Sequence, residues 1–363
     1  MAATYCPLEG VAVGMRVLVT GHDGYIGSVM VKVLRAAGHE VFGLDSYYFA
    51  NCGINKRNEA SVSREDVRDI SPKDLAQIEA VVHLAALCND PIGDLNPDWT
   101  FDINHIASRR LAELSKAAGV QRFLYASSCS MYGEAGEEAV SEDAPLRPLT
   151  PYAISKVRAE EDISKLADGD FSPVFMRSAT AYGMSPRLRA DVLLNNLVCW
   201  AHTTGTIRIM SDGTAWRPIV HVEDIASAFC AALVAPRTAV HNEAFNIGAN
   251  EENYQVRDLA EVVRQALPEC EVEYAAGGAP DPRSYRVSFD KLRRRLPAFI
   301  PKWNARRGVQ ELYEGIRAAA VTVDDFRGRQ FTRLAQFKHL LEAELLDNTL
   351  RWKDKRRGGP GGA

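Results

Sequence analysis

Nothing in this chain calls for a membrane, a secretory route or a structural metal. No apolar run approaches the ~18 residues that a bilayer span requires. The first residues, Met1 to Thr20, lack a basic stretch leading into a long apolar one, so no secretion signal is read there. Charge of one sign is not in excess: 43 Lys+Arg stand against 47 Asp+Glu, a net charge of −4. That balance gives no reason to expect nucleic acid or an anionic membrane as the partner, although a local basic pocket for an acidic substrate is compatible with it. Cysteines are few and scattered: Cys6, Cys52, Cys88, Cys129, Cys199, Cys230 and Cys270 form no CxxC pair and are odd in number. A reduced, cytoplasmic protein follows as the simplest expectation. Without clustered ligands no structural metal is expected. No internal repeat is present.

What is present is an alternation. Arg16–Thr20 reads as a short buried strand, a glycine turn follows, and Ile26–Ala37 is apolar with good helix formers. Val41–Asp45 then reads as a second strand, completing a β-turn-α-β unit. Further short apolar strands are read at 80–84, 122–126 and 173–177, with helices over 103–118 and 153–167 between them. A third strand is expected to end at Asp66-Val67. Such alternation implies an α/β fold: a parallel sheet covered on both faces, doubly wound by right-handed crossovers in the Rossmann manner. After about residue 180 the pattern loosens. The expected organisation is a dinucleotide-binding domain over 15–180, a smaller C-terminal substrate-binding lobe with a charged helical segment over 181–352, and a disordered tail over 353–363. The segment after 320 suggests no role.

The turn reads Thr20-Gly21-His22-Asp23-Gly24-Tyr25-Ile26-Gly27. Its GxxGxxG spacing lets one glycine make a tight turn, one admit a pyrophosphate to the backbone and one pack helix against strand. The helix N-terminus then points N–H groups at the anion. Asp45 ends the second strand 24 residues after Gly21, where a carboxylate accepts hydrogen bonds from ribose hydroxyls and repels a 2′-phosphate. That favours NAD over NADP. Asp66 and Val67 are a weaker candidate pair for the adenine edge.

Tyr152-Ala153-Ile154-Ser155-Lys156 places a phenol and an ammonium at i and i+4, on one helix face. An ammonium there stabilises a tyrosinate, and the nicotinamide charge adds to it, so the phenol becomes a base for a sugar hydroxyl. Ser127-Ser128-Cys129-Ser130-Met131-Tyr132-Gly133 follows a strand directly, at the end of the sheet where ligands bind in such folds.

With these motifs in order, the chain resembles the extended short-chain dehydrogenase/reductase family, in particular its nucleotide-sugar epimerases and dehydratases. The resemblance covers about residues 15–300 and rests on TGHDGYIG, Asp45, HLAA (83–86), SSCSMYG, PYAISK and the stretch from Trp216 to Asp224. It implies that Gly21, Gly24, Tyr25, Ile26, Gly27, Leu84, Ala85, Ala86 and Asn104 lie at the cofactor. It implies Ser128 as the hydroxyl on the reacting oxygen, Tyr152 as the general base, and Lys156 as the residue that tunes it and holds the nicotinamide ribose. Ser130, with Asn195 or Asn196, would meet the substrate, and Arg217 and Arg283 would pair with its diphosphate, as guanidinium groups suit. The resemblance also implies a homodimer through the helices at 103–118 and 153–167.

The family's 4,6-dehydratases carry Asp and Glu directly after the catalytic Ser/Thr. Here those positions hold Cys129 and Ser130. An NDP-sugar 4-epimerase needs no second acid–base pair and is therefore the favoured reading. Cys129 is kept as a candidate weak acid. A 4,6-dehydratase, an NDP-4-keto-sugar reductase and a non-enzymatic NAD-binding scaffold are the alternatives.

Overall fold

The computed structural model describes residues 14–54, 66–88, 90–136, 138–275, 281 and 283–353. Most of the strand expected to end at Asp66-Val67 falls outside them, as does the tail after Lys353, and in place of the expected strand end Asp66 caps a 3-10 turn, Val67–Asp69. Six strands form the central sheet: β1 (Arg16–Thr20), β2 (Glu40–Leu44), β3 (Ala80–His83), β4 (Arg122–Ser128), β5 (Ser172–Ser178) and β6 (Glu243–Ile247). Their order is β6-β5-β4-β3-β1-β2, and every pairing is parallel. The direction of winding reverses beside β1, between β2 and β3. A crevice therefore opens at the carboxyl ends of these strands, which is where the glycine turn lies.

Side chains alternate across each strand, so one short apolar run serves two cores. Val17 and Val19 pack with Met30 and Leu34 on one face, while Leu18 packs with Val81 and Phe123 on the other. Each fully buried aliphatic side chain contributes roughly 1.5–3 kcal/mol. On the first face the helix Gly27–Ala36 lies against the helix Val222–Val234. On the second, the helices Pro97–Phe101 and Ala107–Ala117, joined by a π-helical turn over Asp102–Ile106, lie against the helix Pro151–Ser164. His83 ties the sheet to this second layer through Thr20 Oγ1 at 2.6 Å and Ser108 Oγ at 2.7 Å. Burial and the charge of Lys156 lower its pKa to about 3, so it is a neutral, structural histidine.

The division at residue 180 is not a clean cut. Glu243–Ile247 returns to the central sheet as its edge strand. The segment from Thr322 to Lys353, including the helices Val323–Arg327 and Arg333–Glu342, also returns to the nucleotide-binding half. Tyr48 and Phe49, just after β2, pack on Phe337, and Tyr48 packs on Trp352. The second lobe proper holds a three-stranded sheet of Thr180–Tyr182, Trp216–His221 and Asn253–Gln255, with the helices Leu193–Thr204, Val256–Ala266 and Ala305–Ala318.

Candidate functional site

A cavity of about 1060 Å³ runs from the glycine turn across the ends of β1, β3 and β4 to the second lobe. At Gly21 and Gly27 a hydrogen atom is the only α-substituent that fits, and Gly24 is tight. A Cβ on Gly27 would stand 2.0 Å from the Gly21 carbonyl oxygen. One on Gly21, whose φ is +71°, would meet the Ala85 nitrogen at 2.8 Å, and one on Gly24 would meet the Gly21 oxygen at 3.0 Å. Gly21 N–H donates to the Leu44 carbonyl at 2.7 Å, which locks the turn to β2. No side chain caps the Gly27–Ala36 helix, so its N-terminal amides are not covered by one. Such a turn is a candidate cradle for a diphosphate. Ile26, Leu84, Ala85 and Ala86 line the same cavity. Tyr25 lines it too, but its hydroxyl donates to the Gly183 carbonyl at 2.8 Å and accepts from Asn195.

Asp45 lies at the end of β2 on the cavity wall and accepts the backbone N–H groups of Tyr47 (2.7 Å) and Asp23 (3.1 Å). Burial raises its pKa, and nearby Asp23 adds to this against the opposing charge of His22. Asp66 and Val67 also line the cavity. The Asp66 carboxylate is engaged by Arg68 at 2.6 and 2.9 Å, which outweighs burial and holds its pKa below the usual range. Arg68 in turn reaches Asp102 and the Thr349 carbonyl, so Asp66 organises a junction with the C-terminal segment.

The residues expected to form a redox centre come together where β4 meets the Pro151–Ser164 helix. Thr150 caps that helix by accepting from Ala153 N–H at 3.2 Å, and Pro151 starts it, which fixes Tyr152 in its first turn. Ser128, Tyr152 and Lys156 all line the cavity. The Lys156 ammonium, 2% exposed, donates to the Ala126 carbonyl at 2.7 Å and lies 5.7 Å from the centre of the Tyr152 ring. Burial lowers its pKa to about 8. Burial also pushes the Tyr152 phenol above its ordinary range, with Cys88 adding to the rise and the Ser128 hydroxyl opposing it. Without cofactor, burial thus outweighs the lowering expected from the i, i+4 lysine.

The two residues after β4 divide. Ser130 lines the cavity, and its hydroxyl, buried, has no partner among the described residues. Cys129 does not reach the cavity. It is fully buried, its thiol points at the Arg177 carbonyl at 3.1 Å, and burial pushes its pKa well up. The thiol expected as a weak acid is a core group.

Arg217 and Arg283 converge at the far end on one carboxylate. Arg217 meets Asp281 at 2.6 Å, and Arg283 meets it at 2.9 and 3.0 Å. Arg283 also donates to Asp90 at 2.7 Å. Burial raises the Asp281 pKa, but the two arginines outweigh it and hold it low. Two guanidinium groups converging on one carboxylate are of the kind that also pairs with a phosphate. Asn196 lines the cavity, with its amide on the Ala190 carbonyl. Asn195 is not brought there: it is fully buried and satisfied by Gly183 N–H, Tyr25 and the Arg189 carbonyl. Asn104, in the π-helical turn, is likewise interior and clamps both backbone groups of Leu87, next to the HLAA stretch.

Sequence reasoning missed Arg189, Asp191 and Arg333, which all line the cavity. Arg189 and Asp191 form a 2.8 Å ion pair, and a basic–acidic i, i+2 pair in a loop is a faint signal at best. Arg333 comes from the segment that suggested no role.

Comparison with known proteins identifies the family. Residues 17–248 match the model of the NAD dependent epimerase/dehydratase family. A UDP-glucose 4-epimerase of Mycolicibacterium smegmatis is 32% identical over 293 residues, covering 77% of this chain and 88% of that protein. The structure of MoeE5 in complex with UDP-glucuronic acid and NAD superposes with a TM-score of 0.73 at 30% identity, over 84% of this chain and 99% of that one. A UDP-glucuronic acid 4-epimerase from Bacillus cereus, also in complex with UDP-glucuronic acid and NAD, gives a TM-score of 0.72 at 25% identity over 84% and 99% of the two chains. With its glycine cradle, Asp45 and the Ser128, Tyr152 and Lys156 centre in one crevice, this chain belongs to the NAD dependent epimerase/dehydratase family.

Proposed function

We propose that the protein is an NAD-dependent NDP-sugar epimerase that transiently oxidises a sugar hydroxyl, at C4. The observation that carries this reading is the split after Ser128. Tyr152 and Ser128 face the crevice, while the two following positions offer a core thiol and a hydroxyl instead of carboxylates. Oxidation and re-reduction at one carbon need a single acid–base group, whereas loss of water needs more.

NAD, held by the Gly21–Gly27 turn, Asp45 and Lys156, would supply a reversible two-electron hydride acceptor and a positive charge. The chain does the rest. Tyr152 takes the hydroxyl proton as the carbonyl forms and gives it back as the carbonyl is reduced. Ser128 hydrogen-bonds the same oxygen. Lys156, held on the Ala126 carbonyl, keeps a cation beneath Tyr152. Arg217 and Arg283 exchange Asp281 for the substrate diphosphate, so the sugar turns while its anchor stays fixed. Rotation of the keto sugar presents its other face and inverts the carbon.

The homologous UDP-glucose 4-epimerase and the UDP-glucuronic acid complexes make UDP-hexoses and UDP-hexuronic acids the first substrates to test. The outer helices Ala107–Ala117 and Pro151–Ser164 pack side by side and are the proposed dimer face, which sedimentation tests. The six described cysteines are free thiols, in keeping with a cytoplasmic enzyme. The deciding experiment incubates the protein with UDP-glucose, UDP-galactose and UDP-glucuronic acid and reads products by mass and proton NMR. An epimerase gives a C4-inverted product of unchanged mass without consuming cofactor. A product that has lost water, or turnover only with added reduced cofactor, overturns the reading.

A further inference from the structure

The C-terminal segment contributes one side chain to the crevice that the chemistry above does not use. Arg333 is 4% exposed, lines the cavity, and its Nη1 is buried with no partner among the described residues. Its other groups fix its place. Nη2 donates to the Arg187 carbonyl at 3.0 Å, and the guanidinium carbon sits 4.2 Å from the centre of the Phe49 ring. Arg187 itself reaches Asp23 in the glycine turn at 2.9 Å. Phe49 belongs to the loop that follows Asp45. Arg333 therefore stands at the cofactor end of the crevice, apart from the Arg217 and Arg283 pair at the substrate end.

The local charge points the same way. Arg189 and Arg333 both line this wall, and Asp191 is the carboxylate they share: it pairs with Arg189 at 2.8 Å and accepts the Arg333 backbone N–H at 3.3 Å. Burial lowers the Arg333 pKa to about 10, and the charge of Arg189 adds to this against Asp191. A buried guanidinium with a spare donor beside a phosphate cradle suits a diphosphate oxygen.

The segment is anchored so as to hold that group in place. Gln336 donates to the Tyr48 carbonyl at 3.0 Å, and Trp352 Nε1 to the Ser46 carbonyl at 2.7 Å. Tyr48 donates to the Leu350 carbonyl, and Phe337 packs on Tyr48 and Phe49. All these contacts fall on the four residues after Asp45. We propose that residues 322–353 form a strap across the cofactor crevice and that Arg333, delivered by it, binds the pyrophosphate of NAD. This rests on the NAD site argued above and adds a cofactor ligand from a segment outside the matched family region. A strap of this kind favours a cofactor that stays bound from one turnover to the next, as epimerisation requires.

The test uses the full chain, with Arg333→Met and Arg333→Lys. Affinities for NAD, ADP-ribose, adenosine and UDP are measured by calorimetry, and the NAD retained through purification is measured by mass. Arg333→Met is expected to weaken NAD and ADP-ribose about tenfold or more, the worth of a charge-assisted hydrogen bond. Adenosine and UDP should bind as before, and Arg333→Lys should recover part of the loss. Equal weakening of adenosine would mean that the segment had merely come loose, and loss of UDP affinity would move Arg333 to the substrate diphosphate. Either result overturns the proposal, as does an unchanged NAD affinity. If the unmodified protein itself binds no NAD, the cofactor site fails and the strap with it.

Discussion

Two polar groups of residues sit back to back at the end of β4, one facing the crevice and one facing the core. On the crevice side stand Ser128, Ser130, Tyr152 and Lys156. On the core side, Cys129 and Tyr132 meet Arg177, Glu160 and Asn246: Tyr132 donates to Asn246 at 2.7 Å, and Arg177 meets Glu160 at 2.7 Å. Both groups draw on the same strand end and the same helix, since Tyr152, Lys156 and Glu160 follow one another at i, i+4 and i+8. Residue chemistry alone does not separate them. What separates them is satisfaction. The core network uses its hydrogen-bonding groups on itself and so has nothing to offer a substrate, whereas Ser130 keeps a hydroxyl without a partner among the described residues. A titratable residue next to a catalytic one is thus no evidence of catalysis unless its polar atom is left over.

This contrast is open to attack, beginning with the crevice side. Tyr152→Phe should lower kcat by ~10²–10⁴-fold, the range for loss of a general acid–base group. Thermal unfolding and NAD content should stay as they are. Near-normal turnover would remove Tyr152 from its role. Glu160→Gln should behave in the opposite manner. It leaves Arg177 buried beside a neutral amide, and breaking such a pair costs about 3–5 kcal/mol. Denaturant titration should register that loss, while the kcat of the folded fraction changes little.

Lys156 supplies a pH test. Its pKa is about 8 when folded and 10.5 ordinarily, so the unfolded chain binds the extra proton between those values. Stability of the cofactor-free protein should therefore rise with pH across that window, relative to Lys156→Met, by up to about 3 kcal/mol. Below pH 8 the difference should be flat. A difference that falls as pH rises would show that the ammonium is stabilised rather than penalised by its site. The smallest effect belongs to Cys129→Ala: about 1 kcal/mol of stability lost from a packed site, with turnover unchanged. A large drop in kcat there would return the thiol to the chemistry.

Much of the site was legible because its logic is local. A strand, a tight turn and a helix start within a dozen residues specify the candidate phosphate cradle, and the steric demand at Gly27 is set by atoms a few positions away, that at Gly21 by Leu84 and Ala85 just past the end of β3. Asp45 follows from strand length, and the shared face of Tyr152 and Lys156 from helical period. The alternating short apolar runs likewise determined a doubly wound parallel sheet, because buried strands and amphipathic helices pack in few other ways.

Tertiary structure alone decided the rest. Whether Cys129 or Ser130 looks into the crevice depends on a short 3-10 turn, Cys129–Tyr132, and on which neighbours, Arg177 and Asn246, lie behind it. Asn195 and Asn196 are adjacent in sequence, yet one is an interior tie and the other lines the cavity. Arg333 stands 288 positions from Asp45 in the chain, and no local pattern announces it. It reaches the cofactor end because Phe337 and Trp352 find an apolar seat on Tyr48 and Phe49. That contact is set by burial between distant segments, and sequence order carries no record of it.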